Sequence, residues 1–336
     1  MQQVVYVASP ASQQIHVFAL ADTGELTPLQ VVDTPGQVQP LVISPNGRWL
    51  HAAVRPDFAL ISYRIETDGR LETQGSAPLA GSASHTAISA DGRFLLAASY
   101  AFNQVTVSAI GADGRAAHPH QQLDGLQAAH SVTLLRANKQ GEQEVLVACL
   151  KEDCIRRFLL CKEGRLRPHP LGDLATASGA GPRHLTLHPS NGDLYCLNEL
   201  DCTINRYRPT ADGGIRLCQS LAMLPAGYQG ERWGADLHVT PDGRFLYSSE
   251  RASSLLTQFA IAPDGEIGVV GHFPTETMPR GFAIDQSGHW LLAAGQASHQ
   301  LAVHRIDPVS GALTLLARYH VGDGAMWVIV LARHQP

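Results

Sequence analysis

Four consecutive residues, Gly181-Pro182-Arg183-His184, are followed sixteen positions after the arginine by a carboxylate, Glu199. These side-chain types suit acid–base chemistry on an anionic substrate. A carboxylate can orient or deprotonate water, and an arginine can bind a carboxylate or phosphate through two parallel hydrogen bonds. A histidine can donate a proton or stabilise an oxyanion. Sixteen residues is too long for a local motif, so the fold must bring these groups together.

Two kinds of turn recur along the chain and indicate which elements do this. Asn-Gly or Asp-Gly turns between apolar runs predict β-hairpins, and the three clearest begin at Ser44, Ser89 and Thr240. Weaker copies occupy residues 188–192 and 285–289, and an eroded, lengthened copy occupies residues 135–143. A second kind of hairpin turn recurs seven times, once before the first turn at Ser44 and once after each first turn, and its glycines are Gly24, Gly69, Gly114, Gly164, Gly213, Gly265 and Gly311.

The repeat length predicts the architecture. Equivalent strand starts lie 45 to 53 residues apart, and no stretch of 10–15 residues shows a helical period. Four short strands per repeat of this length are typical of a β-propeller. The last repeat, from Met326, supplies one strand, and residues 4–32 supply the missing three. We therefore predict an all-β, seven-bladed β-propeller with four antiparallel strands per blade. It is one domain over residues 1–336, with one blade closed by the N- and C-terminal strands.

The same register predicts where a site would form. With the strands of a blade named A to D from the channel outward, the start of A and the end of B share one face of the disc. The A-start residues are Gln39, Ser84, His130, Arg183, Ala235, Arg280 and Met326. The B-end residues are Arg55, Tyr100, Lys151, Glu199, Arg251 and Gln296, with Ser9 nearby in the N-terminal blade. Cationic groups concentrate here, which predicts a pocket for a small anionic ligand.

The bulk composition excludes other partners. The net charge is -5 without any basic run, which argues against nucleic acid and against a membrane surface. The N-terminus has no secretion signal, and the six cysteines form no Cys-x-x-Cys pair, so we expect reduced thiols in the cytoplasm. We expect a monomer or weak homo-oligomer, and we predict no cofactor.

Structural roles compete with functional ones at each candidate. Arg183 and Glu199 could form a purely structural ion pair, and His130 could be a satisfied core histidine. Asp236 could link blades by capping backbone amides. No His, Asp and Glu trio has tight metal-ligand spacing, so we predict no metal site, although histidines from three blades could still converge.

Several motifs together resemble those of the seven-bladed lactonase propellers, and the similarity runs along the whole chain. They are residues 179–184, Asn198-Glu199-Leu200, Arg232-Trp233, residues 235–238, residues 279–282 and residues 293–296. Within the family the similarity is greatest to the bacterial branch that hydrolyses 6-phospho-D-glucono-1,5-lactone to 6-phosphogluconate in the pentose phosphate pathway. Fungal carboxymuconate-lactonizing enzymes share the fold and use a histidine, two arginines and a glutamate. Those roles would correspond to His130, Arg183, Arg280 and Glu199.

The resemblance implies a metal-independent lactonase with catalytic residues Glu199, Arg183 and His130. Glu199 would activate water, while Arg183 and His130 would stabilise the oxyanion or protonate the ring oxygen. The residues expected to bind substrate are Arg280, Arg55, Lys151, Arg251, His184, Asn198, Gln296 and Asp236. Another lactonase, a carboxymuconate-type cycloisomerase and a non-catalytic interaction propeller are the alternatives.

Overall fold

Short apolar segments separated by glycine-rich turns form antiparallel sheets in the computed structural model, which describes residues 2–138 and 141–333. The first fifteen strands are β1 (Gln2–Ser9), β2 (Gln14–Leu20), β3 (Leu26–Asp33), β4 (Gln37–Ile43), β5 (Trp49–Arg55), β6 (Ala59–Ile65), β7 (Leu71–Pro78), β8 (His85–Ile88), β9 (Phe94–Ser99), β10 (Gln104–Ile110), β11 (Ala116–Asp124), β12 (Ala129–Ala137), β13 (Gln143–Cys149), β14 (Cys154–Leu160) and β15 (Leu166–Pro168). The others are β16 (Leu174–Ala175), β17 (Pro182–Leu187), β18 (Leu194–Asn198), β19 (Thr203–Pro209), β20 (Ile215–Ala222), β21 (Gly234–Val239), β22 (Phe245–Glu250), β23 (Leu255–Ile261), β24 (Ile267–Pro274), β25 (Pro279–Ile284), β26 (Trp290–Gly295), β27 (Gln300–Ile306), β28 (Leu313–His320) and β29 (Trp327–Arg333).

These strands form seven blades in a closed ring, as predicted. Blade 1 is β4–β7, blade 2 is β8–β11, blade 3 is β12–β16, blade 4 is β17–β20, blade 5 is β21–β24 and blade 6 is β25–β28. The A strands β4, β8, β12, β17, β21, β25 and β29 each contact the next one around the ring, and β29 contacts β4. The A strands therefore surround the central channel.

Blade 7 joins the two ends of the chain, which confirms the predicted closure. Its A strand is β29, and its remaining strands are β1, β2 and β3. The β1–β29 pairing is antiparallel, with Val4 opposite Leu331 and Ala8 opposite Trp327. Closure in this way leaves no exposed inner edge at which the ring could open.

Burial decreases from the inner strands outward, and the side-chain patterns follow this gradient. All six residues of the B strands β9 and β26 are buried, because both faces of these strands pack against neighbouring blades. The D strand β11 instead alternates between partly buried and exposed residues. The inner strands therefore have continuous apolar sequences, whereas the outer strands have the alternating pattern of a half-exposed sheet.

The C–D turns are explained in part by contacts between adjacent blades. Four of the seven C–D turn glycines pack against an aromatic residue at the start of strand B in the preceding blade, and these are Gly24, Gly114, Gly164 and Gly311. Gly114 lies against Trp49 and Gly164 against Phe94, and both glycines have positive φ angles. A Cβ atom on Gly114 would lie 2.0 Å from the indole of Trp49. The Asp-Gly turn is therefore needed for blade packing as well as for the hairpin itself.

Blade 3 departs from the regular pattern where the sequence showed an insertion. Its outer strand is split into β15 and β16, and a short 3₁₀ turn, Leu150–Glu152, follows β13. The eroded turn predicted at residues 135–143 includes residues 139 and 140, which lie outside the described residues. Within the described ranges, no helix is long and apolar enough to cross a bilayer.

The Gly114 contact leads to a stability prediction. Gly114→Ala should destabilise the fold by about 1–2 kcal/mol from its left-handed backbone and by about 1–3 kcal/mol more from overpacking against Trp49. Gly125→Ala is the matched control, because Gly125 has φ +82° with nothing within 4 Å of a built Cβ. Urea unfolding measures both, and equal losses would contradict the packing role.

Candidate active site

The starts of the A strands and the ends of the B strands enclose a cavity of about 340 Å³ at one mouth of the channel. Its volume lies within the range of small-molecule sites. The lining residues are Gln39, Arg55, Ser82, Ala83, Ser84, Tyr100, Ala101, His130, Glu199, Trp233, Arg251 and Arg280. A larger cavity of about 620 Å³ lies between blades 1 and 2 among the A–B turns, where Asp91 and Arg93 already pair with each other. The cavity at the mouth is therefore the candidate site, because it is lined by a histidine, a glutamate and three arginines.

The glycines before Arg183 explain how blade 4 presents its charged pair. Gly179 and Gly181 both have left-handed backbones, with φ +77° and +67°. Their amides donate to Asp153 of blade 3, at 2.7 Å to Oδ2 and 2.9 Å to Oδ1. The amide of Glu199 then donates to the carbonyl of Gly181 at 2.7 Å. The loop into strand A and the end of strand B are thus fixed to each other, which places Arg183 beside Glu199.

Glu199 is held by two arginines from adjacent blades. Its Oε2 accepts from Arg183 Nε at 2.7 Å and lies 2.8 Å from Arg251 Nη2. Burial acts to raise the pKa of Glu199, but these two guanidinium groups lower it below the ordinary value. No hydrogen bond from the described residues reaches Oε1. One oxygen of an ionised carboxylate is therefore left for water or substrate.

Arg251 is held in the wall of the cavity by stacking and by hydrogen bonds to the backbone. Its guanidinium stacks over the indole of Trp233 with the carbon 3.9 Å from the ring centre. It also donates to the carbonyls of Trp233 and Gly234 at 3.2 and 2.9 Å. Burial and then the nearby charge of Arg183 lower the pKa of Arg251 to about 9. It remains a cation at neutral pH and helps to hold Glu199.

Arg280 is a cation without a direct ion-pair partner among the described residues. It lines the cavity and is partly buried, yet it forms no hydrogen bond or ion pair with the residues that the structure describes. Burial, followed by the charge of Arg183, lowers its pKa to about 10, and Arg55 also contributes. Arg55 itself is exposed and donates to Gln37 at 2.9 Å. An unpaired, partly desolvated guanidinium favours an anionic ligand.

His130 lines the same cavity as a neutral imidazole. Burial and then the positive charge of Arg183 lower its pKa well below the ordinary value. Its Nδ1 is buried and has no hydrogen-bond partner in the part of the chain that the structure describes, and its ring lies 5.9 Å from that of Tyr100. A neutral ring can donate one hydrogen bond and accept another. His130 is therefore available for proton transfer or hydrogen bonding in the cavity.

Aromatic rings close the channel beneath the cavity. His85, His184 and Trp327 come from blades 2, 4 and 7, and their ring centres are 5.4, 5.5 and 6.2 Å apart. Burial lowers the pKa of His85 to about 3 and that of His184 to about 4. Over residues 2–138 and 141–333, no group of three or more His, Cys, Asp or Glu side chains is arranged to hold a metal ion.

Asp236 lies in this floor and links blades, as one of the two sequence interpretations expected. Its Oδ1 lies 2.8 Å from His184 Nδ1 in blade 4, and its Oδ2 lies 3.1 Å from His238 Nε2. It also accepts from the backbone amides of Leu237 and Phe282 at 3.0 and 3.3 Å. Three blades therefore meet at one carboxylate.

The predicted site residues fall into three groups. Those that line the cavity are Glu199, His130, Arg280, Arg55 and Arg251. Those that lie beneath it, away from its lining, are Arg183, His184 and Asp236. The other three are Lys151, which is exposed with its ammonium 5.8 Å from the Tyr100 ring; Gln296, which follows β26; and Asn198, which is buried and donates to Thr203 at 2.8 Å. The register thus predicted the neighbourhood, while the individual roles stay predictions.

Sequence reasoning missed several lining residues. Trp233 precedes the A-strand start of blade 5 by two residues, outside both registers, although Arg232-Trp233 is one of the motifs that carried the resemblance. Tyr100, Gln39 and Ser84 were in the registers but were not expected to bind substrate. Only their position in the repeat could have indicated that they line the cavity, because none of the three carries a charge.

Comparisons with known proteins agree with this geometry. The sequence profile of the family described as "Lactonase, 7-bladed beta-propeller" matches residues 4–330. The chain therefore belongs to the lactonase family of seven-bladed β-propellers.

Curated relatives span the full length. The 6-phosphogluconolactonase of Serratia proteamaculans is 50% identical over 335 residues, which cover 99% of this chain and 100% of that protein. The 6-phosphogluconolactonase of Yersinia pestis is 51% identical over 332 residues, with 98% of each chain covered. Among solved structures, the periplasmic gluconolactonase of Pseudomonas aeruginosa superposes with a TM-score of 0.88 at 26% identity, covering 99% of each chain.

The Glu199 carboxylate, held by two arginines, should stabilise the fold in a pH-dependent way. Glu199→Gln should destabilise the fold by about 3 kcal/mol at pH 7, because Arg183 and Arg251 lose their counter-charge in a buried setting. The pKa of Glu199 is lowered in the folded state. Its contribution is therefore present above the unfolded value of about 4.3 and is lost as the pH falls through the folded value. Denaturant unfolding from pH 7 down to about pH 2 should show the stability difference between wild type and Glu199→Gln shrinking below the unfolded value, and a constant difference would contradict the clamp.

Proposed function

We propose that this protein hydrolyses 6-phospho-D-glucono-1,5-lactone to 6-phosphogluconate. The observation that carries the proposal is the unpaired Arg280 in the same cavity as the arginine-held Glu199. Arg55, Arg183, Arg251 and Arg280 contribute four positive charges, and Glu199 and Asp236 contribute two negative ones, so the local balance is +2. An anionic substrate would neutralise this excess, and the names of the full-length relatives support a phosphorylated lactone.

The phosphate would bind between Arg280 and Arg55. These cations lie in blades 6 and 1, on either side of blade 7, and the charge of Arg55 contributes to the lowered pKa of Arg280. Guanidinium groups bind phosphate oxygens bidentately, which fixes orientation as well as charge. Lys151 lies across the mouth beside Tyr100, where it adds positive potential at the rim.

The lactone carbonyl would then lie near Glu199 and His130. Glu199 Oε1 would take a proton from water as the water oxygen bonds to C1, giving a tetrahedral oxyanion. His130 would donate a hydrogen bond to that oxyanion, and the surrounding arginines would stabilise it electrostatically. Collapse breaks the bond between C1 and the ring oxygen, which takes up the proton that Glu199 accepted from water to become the 5-hydroxyl, and Glu199 is ionised again. A carboxylate with a lowered pKa is a modest base, but it suffices because the lactone is an activated ester.

Metal independence follows from the same charges. Three of the groups that line the cavity are arginines, and Glu199 Oε2 is already occupied by two of the guanidinium groups around it. A divalent cation would have to bind within this positive potential. The six cysteines are all free thiols, which fits the reducing cytoplasm in which we place the activity.

A coupled assay with phosphogluconate dehydrogenase tests the proposal. The wild type should hydrolyse the phosphorylated lactone equally with and without a chelator. Glu199→Gln should lower kcat by about 10²–10⁴-fold. Glu144→Gln is the matched control, because Glu144 holds the buried Arg157 at 2.6 Å in blade 3, away from the mouth.

The outcomes separate the alternatives. A wild type without turnover, or equal turnover in wild type and Glu199→Gln, would refute the assignment. Turnover of unphosphorylated gluconolactone alone, or of a carboxylated muconolactone alone, would indicate another lactonase or a cycloisomerase.

A further inference from the structure

A chain of hydrogen bonds leads from Glu199 away from the cavity into the floor. Arg183 Nε donates to Glu199 at 2.7 Å, and Arg183 Nη1 lies 3.2 Å from His184 Nε2. His184 Nδ1 lies 2.8 Å from Asp236 Oδ1. The side chain of Arg183 is 1% exposed, and those of His184 and Asp236 are 8% and 14% exposed. None of these three residues lines the cavity.

Chemistry fixes the direction of every link. A guanidinium can only donate, so His184 Nε2 must accept from Arg183. The ring proton is therefore on Nδ1 and is donated to Asp236. Burial lowers the pKa of His184 to about 4, so this imidazole is neutral at pH 7 and keeps one tautomer. Burial acts to raise the pKa of Asp236, but His238 and His184 hold it well below the ordinary value, so the carboxylate only accepts.

Asp236 also connects the chain to the anion-binding side of the cavity. It accepts from the backbone amide of Phe282 in blade 6, two residues after Arg280. One carboxylate is therefore bonded both to the residue that holds Arg183 and to the strand that carries Arg280. A shift of Asp236 would change the position of Glu199 relative to Arg280.

We propose that His184 and Asp236 are positioning residues, which set the orientation of Arg183 and through it the orientation of the Glu199 carboxylate toward a lactone bound at Arg280. This assignment rests on the proposed lactonase function. It replaces direct substrate contact as the role of both residues, because both lie beneath the cavity. Without His184, the described contacts of Arg183 Nη1 reduce to the carbonyl of Ala235, so the guanidinium loses one of the hydrogen bonds that fix its orientation.

His238 provides the matched control. It binds the other oxygen of Asp236 at 3.1 Å, and its side chain is 38% exposed. Its removal leaves the links from Asp236 through His184 to Arg183 intact. His184→Leu removes both links, whereas His184→Asn keeps one donor and one acceptor. The three variants separate the chain from general packing of the floor.

The test is lactonase kinetics across pH for wild type, His184→Leu, His184→Asn and His238→Gln. His184→Leu should lower kcat by about 10- to 100-fold, the scale of a misplacement of about 1 Å, with KM within about twofold of wild type if substrate contacts are kept. Its acid limb should move to higher pH, because a loosened Arg183 no longer lowers the pKa of Glu199 fully. His184→Asn should recover part of kcat, and His238→Gln should match wild type.

A second measurement keeps the inference independent of turnover. A carbon-13 titration of the Glu199 carboxyl, assigned with Glu199→Gln, should give a higher pKa in His184→Leu than in wild type and no change in His238→Gln. An unchanged titration, or equal effects of His184→Leu and His238→Gln, would overturn the positioning role. A wild type without lactonase turnover would overturn only the proposed function. If His184→Leu does not fold, Asp236→Asn takes its place with the same expected and contrary results.

Discussion

The site depends on one buried interaction, the carboxylate of Glu199 held between Arg183 and Arg251. Moving three such groups out of water costs several kcal/mol each unless their charges and hydrogen bonds are matched. The matching is provided by two neighbouring blades and by backbone carbonyls at the mouth. Only a rigid scaffold can hold these groups in place, and the closed ring of sheets is such a scaffold.

The scaffold produces this proximity by ordinary means. In each blade, strand A runs away from the mouth and strand B returns to it. The start of strand A and the end of strand B, about sixteen residues apart, therefore lie at the same rim, and in blade 4 these positions hold Arg183 and Glu199. What distinguishes blade 4 is the glycine loop tied to Asp153 and the charges placed in the common register. Four of the C–D turn glycines serve the scaffold in a similar way, because their missing side chains make room for an aromatic residue of the preceding blade.

Much of this was predictable from the sequence, because turn chemistry and strand periodicity are local. The seven blades, the closure by residues at both ends and the contact between Arg183 and Glu199 follow from turns such as the one at Ser44. The sequence did not predict how deep each side chain lies relative to the cavity. Arg183 and Arg280 occupy the same position of the repeat, yet Arg183 lies beneath the cavity and Arg280 lines it. The pairing of Trp233 with Arg251 also depends on a loop that has no repeat.

Among the described residues, Arg280 is the arginine at the mouth that has no hydrogen-bond or ion-pair partner. Arg183 and Arg251 both bond to Glu199, so Arg280 is the cation to which we expect the proposed anionic substrate to bind. The most direct test compares kcat/KM of wild type and Arg280→Gln on the phosphorylated lactone and on gluconolactone. The account predicts a loss of about 10- to 100-fold for the phosphorylated lactone, the worth of a charge-assisted hydrogen bond, and little change for gluconolactone. Equal losses on both substrates would contradict it.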